Sequence, residues 1–334
     1  MIRFHSMDRV YGLIERTTER YLTYRKAVKA TEKSRRRTVL GEIWSWVDAF
    51  IFAIVAVLII NQYLFQLFVI PSPSMVDTIN VGDRVVVSKL SYGMELYPAG
   101  AKVFDSSRHV QRDDIITFYN PEYDSRGPVF DVLSQIVYMG TLSLVNIDRN
   151  DDGSVAERLF VKRAVGFPGD QVVFEDGDVL IRPAGYAQFL PEEEFRSSNG
   201  LSDQPHRSID EDYYVGLKAW ARLYALQEAG VTSAPNHLLK DYQHVQGNVV
   251  GDMYEFSRHQ SLYSSLVDPS DMEARSTWSR YRAGIYVPQS HVLPLGDNRD
   301  NSRDGRYFGP VEENDINGKV LFRFWPLGRI GGLE

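Results

Sequence analysis

Two serines stand two residues apart in Val69-Ile-Pro-Ser-Pro-Ser-Met75, directly after a long apolar stretch, and Lys162 ends the apolar run Leu159-Phe-Val161. A serine hydroxyl is a weak nucleophile until a base sits within hydrogen-bond reach. A lysine can be that base if burial lowers its pKa enough to leave neutral amine near pH 7. Pro71 and Pro73 stiffen the chain around Ser74. A proline-rich exit from an apolar segment, and a solvated strand end at Lys162, account for the same residues without chemistry. A Ser/His/Asp triad is the other route, with His109, His206, His237, His244, His259 and His291 available. Most of these lie in loop-like or inserted stretches, and spacing alone leaves the triad open. The 334 residues hold no cysteine, so a thiolate nucleophile, a disulfide and Cys-ligated zinc are excluded.

The elements that must position these groups begin with an apolar segment. Ala49 to Ile60 is apolar without a break, and Trp44, Trp46 and Val47 before it and Tyr63 to Ile70 after it carry it past the roughly 20 residues that cross hydrocarbon. Asn61, Gln62 and Gln66 fall towards its exit side. The cluster Lys33-Ser-Arg-Arg-Arg37 before it belongs in the cytoplasm by the positive-inside rule, which puts residues from about Ile70 outside. Residues 1 to 37 mix scattered apolar side chains with many charges, loosely as an amphipathic helix does, and are neither a signal peptide nor a span.

Beyond Val81 come short β-branched runs broken by turns: Arg84-Val-Val-Val-Ser88, Asp114-Ile-Ile-Thr-Phe118, Arg158-Leu-Phe-Val-Lys162, Gln171-Val-Val-Phe174 and Asp178-Val-Leu-Ile181. This rhythm predicts a mainly antiparallel β domain. Phe130 to Val145 is a second apolar patch, short for a span and interrupted by Ser134, Gln135, Thr141 and Ser143, and is expected to be buried or to dip into the interface. A crossing there would also put Ser74 and Lys162 on opposite sides of the membrane. From Pro183 to about Pro288 the strand rhythm stops, with an acidic run Glu192-Glu-Glu194 and a helical pattern through Tyr213, Leu217, Trp220, Leu223, Tyr224 and Leu226, as in an inserted subdomain.

Charge is uneven. Residues 1 to 40 carry eleven basic and four acidic side chains, and the rest of the chain 26 basic and 40 acidic, within a net charge of -7. An acidic body argues against nucleic acid as partner, because phosphate binding needs a concentrated positive face.

Three boxes then carry a resemblance. Ile70-Pro-Ser-Pro-Ser-Met75 with Val81-Gly-Asp83, Phe160-Val-Lys-Arg-Ala-Val-Gly-Phe-Pro-Gly-Asp170, and Gly296-Asp-Asn-Arg-Asp-Asn-Ser-Arg-Asp-Gly-Arg-Tyr-Phe-Gly309 resemble, in order, the boxes of bacterial type I signal peptidases, and Phe322-Arg-Phe-Trp-Pro326 matches their usual ending. The resemblance implies a membrane-bound serine endopeptidase that removes signal peptides from exported preproteins through an acyl-enzyme. It implies Ser74 as nucleophile, Lys162 as general base, Ser72 with the Ser74 N–H as oxyanion donors, and Ser302 as the group that orients the amine. Asp297, Arg163, Asp304 and Arg306 match charged residues that brace the site. Phe68, Ile70, Met75, Ile79, Phe160 and Val161 match positions around shallow apolar pockets that select Ala-x-Ala type cleavage sites. Two positions depart from the family pattern: Asp77 stands where proline is common, and Gly305 where serine is common.

The expected architecture is therefore a basic cytoplasmic segment over 1–42, a transmembrane helix over 43–69, a β catalytic domain over 70–182 and 289–334, and an inserted α/β subdomain over 183–288. Exported preproteins, the lipid bilayer and the secretion translocon are the expected partners; no cofactor or metal is expected. Asp148-Arg-Asn-Asp-Asp-Gly153 starts like a calcium loop but has Leu159 where a bidentate Glu is needed, and a hairpin turn explains it better. The contrasting reading is a catalytically silent membrane-anchored β module that binds export partners, and a nearer variant is a relative that processes a narrow substrate set.

Overall fold

The computed structural model describes residues 12, 15–27, 39–95, 102–104, 109–141, 144–149, 153, 156–201, 205–247 and 251–333. The Lys33–Arg37 cluster and residues 150–152 of the calcium-like loop lie outside these. The chain divides into two compact units, Met1–Ala56 and Val57–Glu334. Residues 15–27 form helix α1, and Val39–Tyr63 form α2. Its stretch Gly41–Tyr63 is long and apolar enough to cross a membrane. Trp44, Trp46, Phe50 and Phe52 are exposed along it, which suits an apolar surround.

The expected span over 43–69 runs too far at its end. The helix stops at Tyr63, and Phe65–Val69 form a strand instead, β1. The reason is tertiary pairing: β1 lies antiparallel to β2 (Arg84–Ser88), with Phe68 opposite Val85 and Gln66 opposite Val87. Chain polarity did not mark this switch, because an apolar run of this length reads equally well as either element.

The remaining strands are β3 (Met94–Glu95), β4 (Lys102–Phe104), β5 (Ile115–Tyr119), β6 (Leu159–Gly166), β7 (Gln171–Glu175), β8 (Asp178–Arg182), β9 (Leu190–Pro191), β10 (Ile285–Tyr286), β11 (His291–Leu295), β12 (Val311–Glu312), β13 (Ile316–Trp325) and β14 (Gly331–Gly332). Eight of them make one antiparallel sheet in the order β1-β2-β13-β5-β6-β11-β12, with β14 added to β13. A second antiparallel sheet runs β10-β7-β8-β9. The β-branched runs read from the sequence are β2, β5, β6, β7 and β8, each to within one residue at either end except that β6 extends four residues further, to Gly166. Phe68, Ile70, Met75, Ile79, Val85, Val87, Ile115 and Val320 form one buried cluster beneath the Ser74 segment. A second, with Ile116, Phe118, Phe160 and Ala164, packs beside the Lys162 strand.

Helix α3 (Pro128–Gly140) covers most of the second apolar patch and inverts the usual burial. Its polar Ser134 and Gln135 are buried, while Val129, Leu133 and Ile136 are exposed. Of the two expectations for this patch, burial and dipping into the interface, the exposed face does not fit burial. Between β9 and β10 come α4 (Glu192–Ser198), α5 (Glu211–Glu228), α6 (Asn236–Tyr242), α7 (Met253–Val267) and α8 (Met272–Ala283). The acidic run is the first turn of α4, where carboxylates suit the helix dipole. There Glu192 is buried and takes a bidentate pair from Arg299, with Nη2–Oε1 at 2.5 Å and Nε–Oε2 at 3.2 Å.

Candidate active site

Ser74 sits in a single 3-10 turn, Pro73–Met75, in which Pro73 takes the first position. Proline suits that place because its φ is preset and the missing N–H would have no partner there. Met75 and Ile79 are fully buried and anchor the turn to the core. Asn298 holds it from the other side: its N–H donates to the Ser74 carbonyl at 3.1 Å and its Nδ2 to the Pro73 carbonyl at 3.2 Å.

Lys162 lies within β6, paired with Ile116 of β5. Its Nζ is 2.8 Å from Ser74 Oγ, and both residues are buried, at 3% and 8% exposure. Burial lowers its pKa from 10.5 to about 8, against the opposing pull of the Asp304, Glu157 and Asp297 carboxylates. A neutral amine is thus accessible near physiological pH, and it points at a hydroxyl it can deprotonate. Ser72 Oγ lies 3.5 Å from Ser74 Oγ. Of the histidines, His206 approaches the loop after Ser74, but its Nδ1 faces Asp77 at 3.0 Å, while the amine against Ser74 Oγ is that of Lys162.

Two buried ion pairs flank this centre. Arg163 grips Asp297 in a fork, Nε–Oδ1 at 2.8 Å and Nη2–Oδ2 at 2.7 Å, and Thr78 adds a hydroxyl donor at 2.6 Å. Burial opposes the Asp297 charge, yet Arg163 holds its pKa below the usual carboxylate range. Asp304 accepts from Arg306 Nε at 2.9 Å and Nη2 at 3.1 Å, and from the Gly296 N–H at 3.0 Å. Its pKa is also low, because Arg306 outweighs the burial. Ser302 Oγ is buried and, among the described residues, has no hydrogen-bond partner. It lies against Gly296, where an added Cβ would come within 2.5 Å of Ser302 Cβ and 2.6 Å of the Ser74 carbonyl oxygen.

Both departures from the family pattern have local explanations. Asp77 pairs with His206, whose N–H also donates to the Asp297 carbonyl at 2.7 Å and whose carbonyl accepts from Arg299 N–H at 3.2 Å. At Gly305 a side chain would meet Leu293 Cδ1 at 2.6 Å and the Pro294 carbonyl oxygen at 2.8 Å, so a serine does not fit this backbone. Asn298 and Thr78 were not singled out by sequence, and His206 was named only among the histidines open to a triad, not as a partner of Asp77. Asn298 stands inside the third box and could have been found there; His206 carries no local signal.

A cavity of about 410 Å³ opens beside Ser74 and Lys162. Phe68, Ile70, Met75, Phe160 and Val161 line it, as do Ser72, Ser134, Gln135 and Tyr138. Ile79 does not; it belongs to the core beneath. In the calcium-like loop the Asp148 carboxylate is buried and engaged by the Tyr123 hydroxyl at 2.7 Å and Arg158 Nη2 at 2.9 Å. A side chain so occupied is a poor calcium ligand.

The sequence model of the family described as signal peptidase, peptidase S26, matches residues 43–325. Among curated proteins, signal peptidase I of Buchnera aphidicola subsp. Acyrthosiphon pisum is 25% identical over 321 residues, 91% of this chain and 85% of that protein. Signal peptidase I of Haemophilus influenzae is 24% identical over 313 residues, covering 91% and 78%. Signal peptidase IB of Staphylococcus aureus is 22% identical over 286 residues, covering 86% and 91%. The buried serine–lysine contact sits within the matched region, and the chain belongs to the signal peptidase family, peptidase S26.

Proposed function

We propose that this protein is a membrane-bound serine endopeptidase that removes signal peptides from exported preproteins, using Ser74 and Lys162 as a dyad. The observation that carries the reading is the 2.8 Å contact between Lys162 Nζ and Ser74 Oγ in a buried, carboxylate-braced setting. Neutral Lys162 takes the Ser74 proton as Oγ attacks the scissile carbonyl. The tetrahedral oxyanion accepts from the Ser74 N–H and the Ser72 hydroxyl, two donors aimed where charge develops. Collapse expels the amine of the mature protein, which receives the proton from Lys162 and leaves the signal peptide esterified to Ser74. Water, deprotonated by the same amine, then hydrolyses the ester. Ser302 orients the amine during these transfers, while Arg163–Asp297 and Arg306–Asp304 brace the walls. The apolar lining from Phe68, Ile70, Met75, Phe160 and Val161 favours small side chains before the scissile bond, consistent with Ala-x-Ala sites.

The catalytic residues face outward from a bacterial cytoplasmic membrane, with α2 as the single span and the basic head inside. The segment 183–288 is an insertion in the β catalytic domain. The exposed apolar face of α3 rests on the bilayer, since an apolar exterior over a polar interior suits lipid better than water. The secretion translocon hands on the substrate.

The test is cleavage of a purified preprotein by the purified chain in detergent or vesicles. Loss of cleavage in both Ser74→Ala and Lys162→Ala, with unchanged circular dichroism, supports the dyad. Full activity in either variant rejects it.

A further inference from the structure

One polar group in the cavity is unused by this mechanism. Gln66 of β1 is 1% exposed and lines the cavity, and neither its Oε1 nor its Nε2 has a hydrogen-bond partner among the described residues. Buried amides are nearly always paired, and leaving one unpaired is costly. Arg158, which lines the same cavity, is by contrast engaged: its Nη2 donates to Asp131 at 3.0 Å, Asp148 at 2.9 Å and Ser134 at 2.9 Å. Among the described residues that line the cavity, Gln66 alone has buried side-chain polar atoms without a partner, and it stands where a ligand must pass.

The cavity has the form an extended peptide requires. Two runs of consecutive residues line it, Phe68 to Ser72 and Glu157 to Lys162, and Ser74 and Lys162 come together within it. Along β1 the side chains of Gln66, Phe68 and Ile70 fall on one face at two-residue spacing. Gln66 lies about 13 Å from Ile70 at the rise of a strand, four residues of an extended chain. A substrate with its last signal-peptide residue beside Ser74 and Ile70 thus brings its fifth residue before the scissile bond to Gln66.

We infer that Gln66 forms a polar specificity subsite that recognises an uncharged side chain with both donor and acceptor, asparagine or glutamine foremost, about five residues before the scissile bond. The inference rests on the peptidase reading above. A substrate amide donates to Gln66 Oε1 and accepts from Nε2, so each satisfies the other. A leucine of similar size leaves both atoms unpaired, and a site built to hydrogen-bond discriminates against such a substrate.

The test uses the full-length protein in detergent and a preprotein series with Asn, Gln, Thr, Ala or Leu placed in turn three to six residues before the scissile bond. Cleavage of the parent substrate by the wild type, abolished in Ser74→Ala, establishes the peptidase reading separately; without that cleavage both readings fall. With it, kcat/KM for Asn over Leu at the fifth position is expected to be roughly three- to tenfold, the size of one or two net hydrogen bonds. Gln66→Met, which keeps the volume and removes the amide, is expected to bring the ratio to unity or below. No preference at any of the four positions, or a preference that persists in Gln66→Met, overturns the inference. Stability gives a second readout: Gln66→Met should raise Tm because an unsatisfied amide is gone. A lower Tm would mean that the amide is satisfied in the free protein, and would count against a subsite waiting for substrate.

Discussion

At the scale of single residues, Lys162, the proposed base, would join catalysis and stability through one proton. Its pKa of about 8 means that the free amine, and with it kcat/KM, rises with pH through that value. A pH–rate profile flat from pH 6 to 10 would contradict the base assignment. The same burial weakens the fold. The unfolded lysine keeps its proton to about 10.5 and the folded one releases it above about 8, so between these values the unfolded state binds more protons and stability rises with pH. Lys162→Met should therefore be more stable than the wild type at pH 7, by on the order of 3 kcal/mol, with the advantage fading between pH 8 and 10.5; Tm measured across pH checks both sign and window. Ser302 offers the complementary case. Its hydroxyl is buried and unpaired in the resting site, so Ser302→Ala should leave Tm unchanged or slightly higher. If the hydroxyl orients the amine during turnover, kcat should nonetheless fall by about tenfold or more, the lower range of acid–base assistance. A Tm drop of several degrees with unchanged kcat would recast Ser302 as structural.

At the scale of elements, the turn that carries Ser74 depends on close approach by the β11-to-α9 connection, α9 being Gly305–Phe308. Gly296 leaves no room for a methyl group between Ser302 Cβ and the Ser74 carbonyl. Gly296→Ala should displace the nucleophile and lower kcat at least a hundredfold, since an ångström of misplacement costs that much; near-wild-type turnover would show that the connection yields. α3 permits another test, resting on its inverted burial. Replacing exposed Leu133 and Ile136 together by glutamate should weaken binding of an α2-deleted protein to vesicles while leaving its hydrolysis of soluble peptides intact; unaltered flotation with vesicles would separate α3 from the bilayer. These elements differ in how far the sequence discloses them. The start of β6 was legible because Leu159-Phe-Val161 is a run of strand formers, but its continuation past Lys162 to Gly166 was not, because Lys162-Arg163 reads as a solvated strand end until its burial between neighbouring strands is known. The end of α2 was not, because Phe65–Val69 is as apolar as the helix before it and only its pairing with β2 decides the switch. Neither was the contact of His206 with Asp77, which joins segments far apart in sequence and depends wholly on tertiary placement. Gln66 likewise passed as a polar residue near a membrane exit until its orphaned amide was seen inside the cavity.

At the scale of the whole molecule, topology follows from lengths and charges together. The 23 residues Gly41–Tyr63 rise about 35 Å as a helix, enough for the hydrocarbon core of about 30 Å. The 13 residues of α3 rise only about 20 Å and cannot cross. Ser74 and Lys162 are bonded within one unit, so they share one side of the membrane. Lys33, Arg35, Arg36 and Arg37 precede α2 within a few residues, a bias that in the proposed topology holds the N-terminal side in the cytoplasm. The acidic remainder is free to translocate, since acidic residues contribute little to orientation. Protease added outside intact spheroplasts should therefore digest the chain beyond about Ile70 and leave a short membrane-protected N-terminal fragment that a tag at the start of the chain detects. Full protection of the C-terminal portion, with degradation of the N-terminal tag, would reverse the orientation. Replacing Lys33, Arg35, Arg36 and Arg37 by glutamine should yield a mixed population, because the span remains apolar enough to insert while the signal that orients it is gone. If the variant keeps a single orientation, then the length of the translocated domain rather than the charge bias sets the topology.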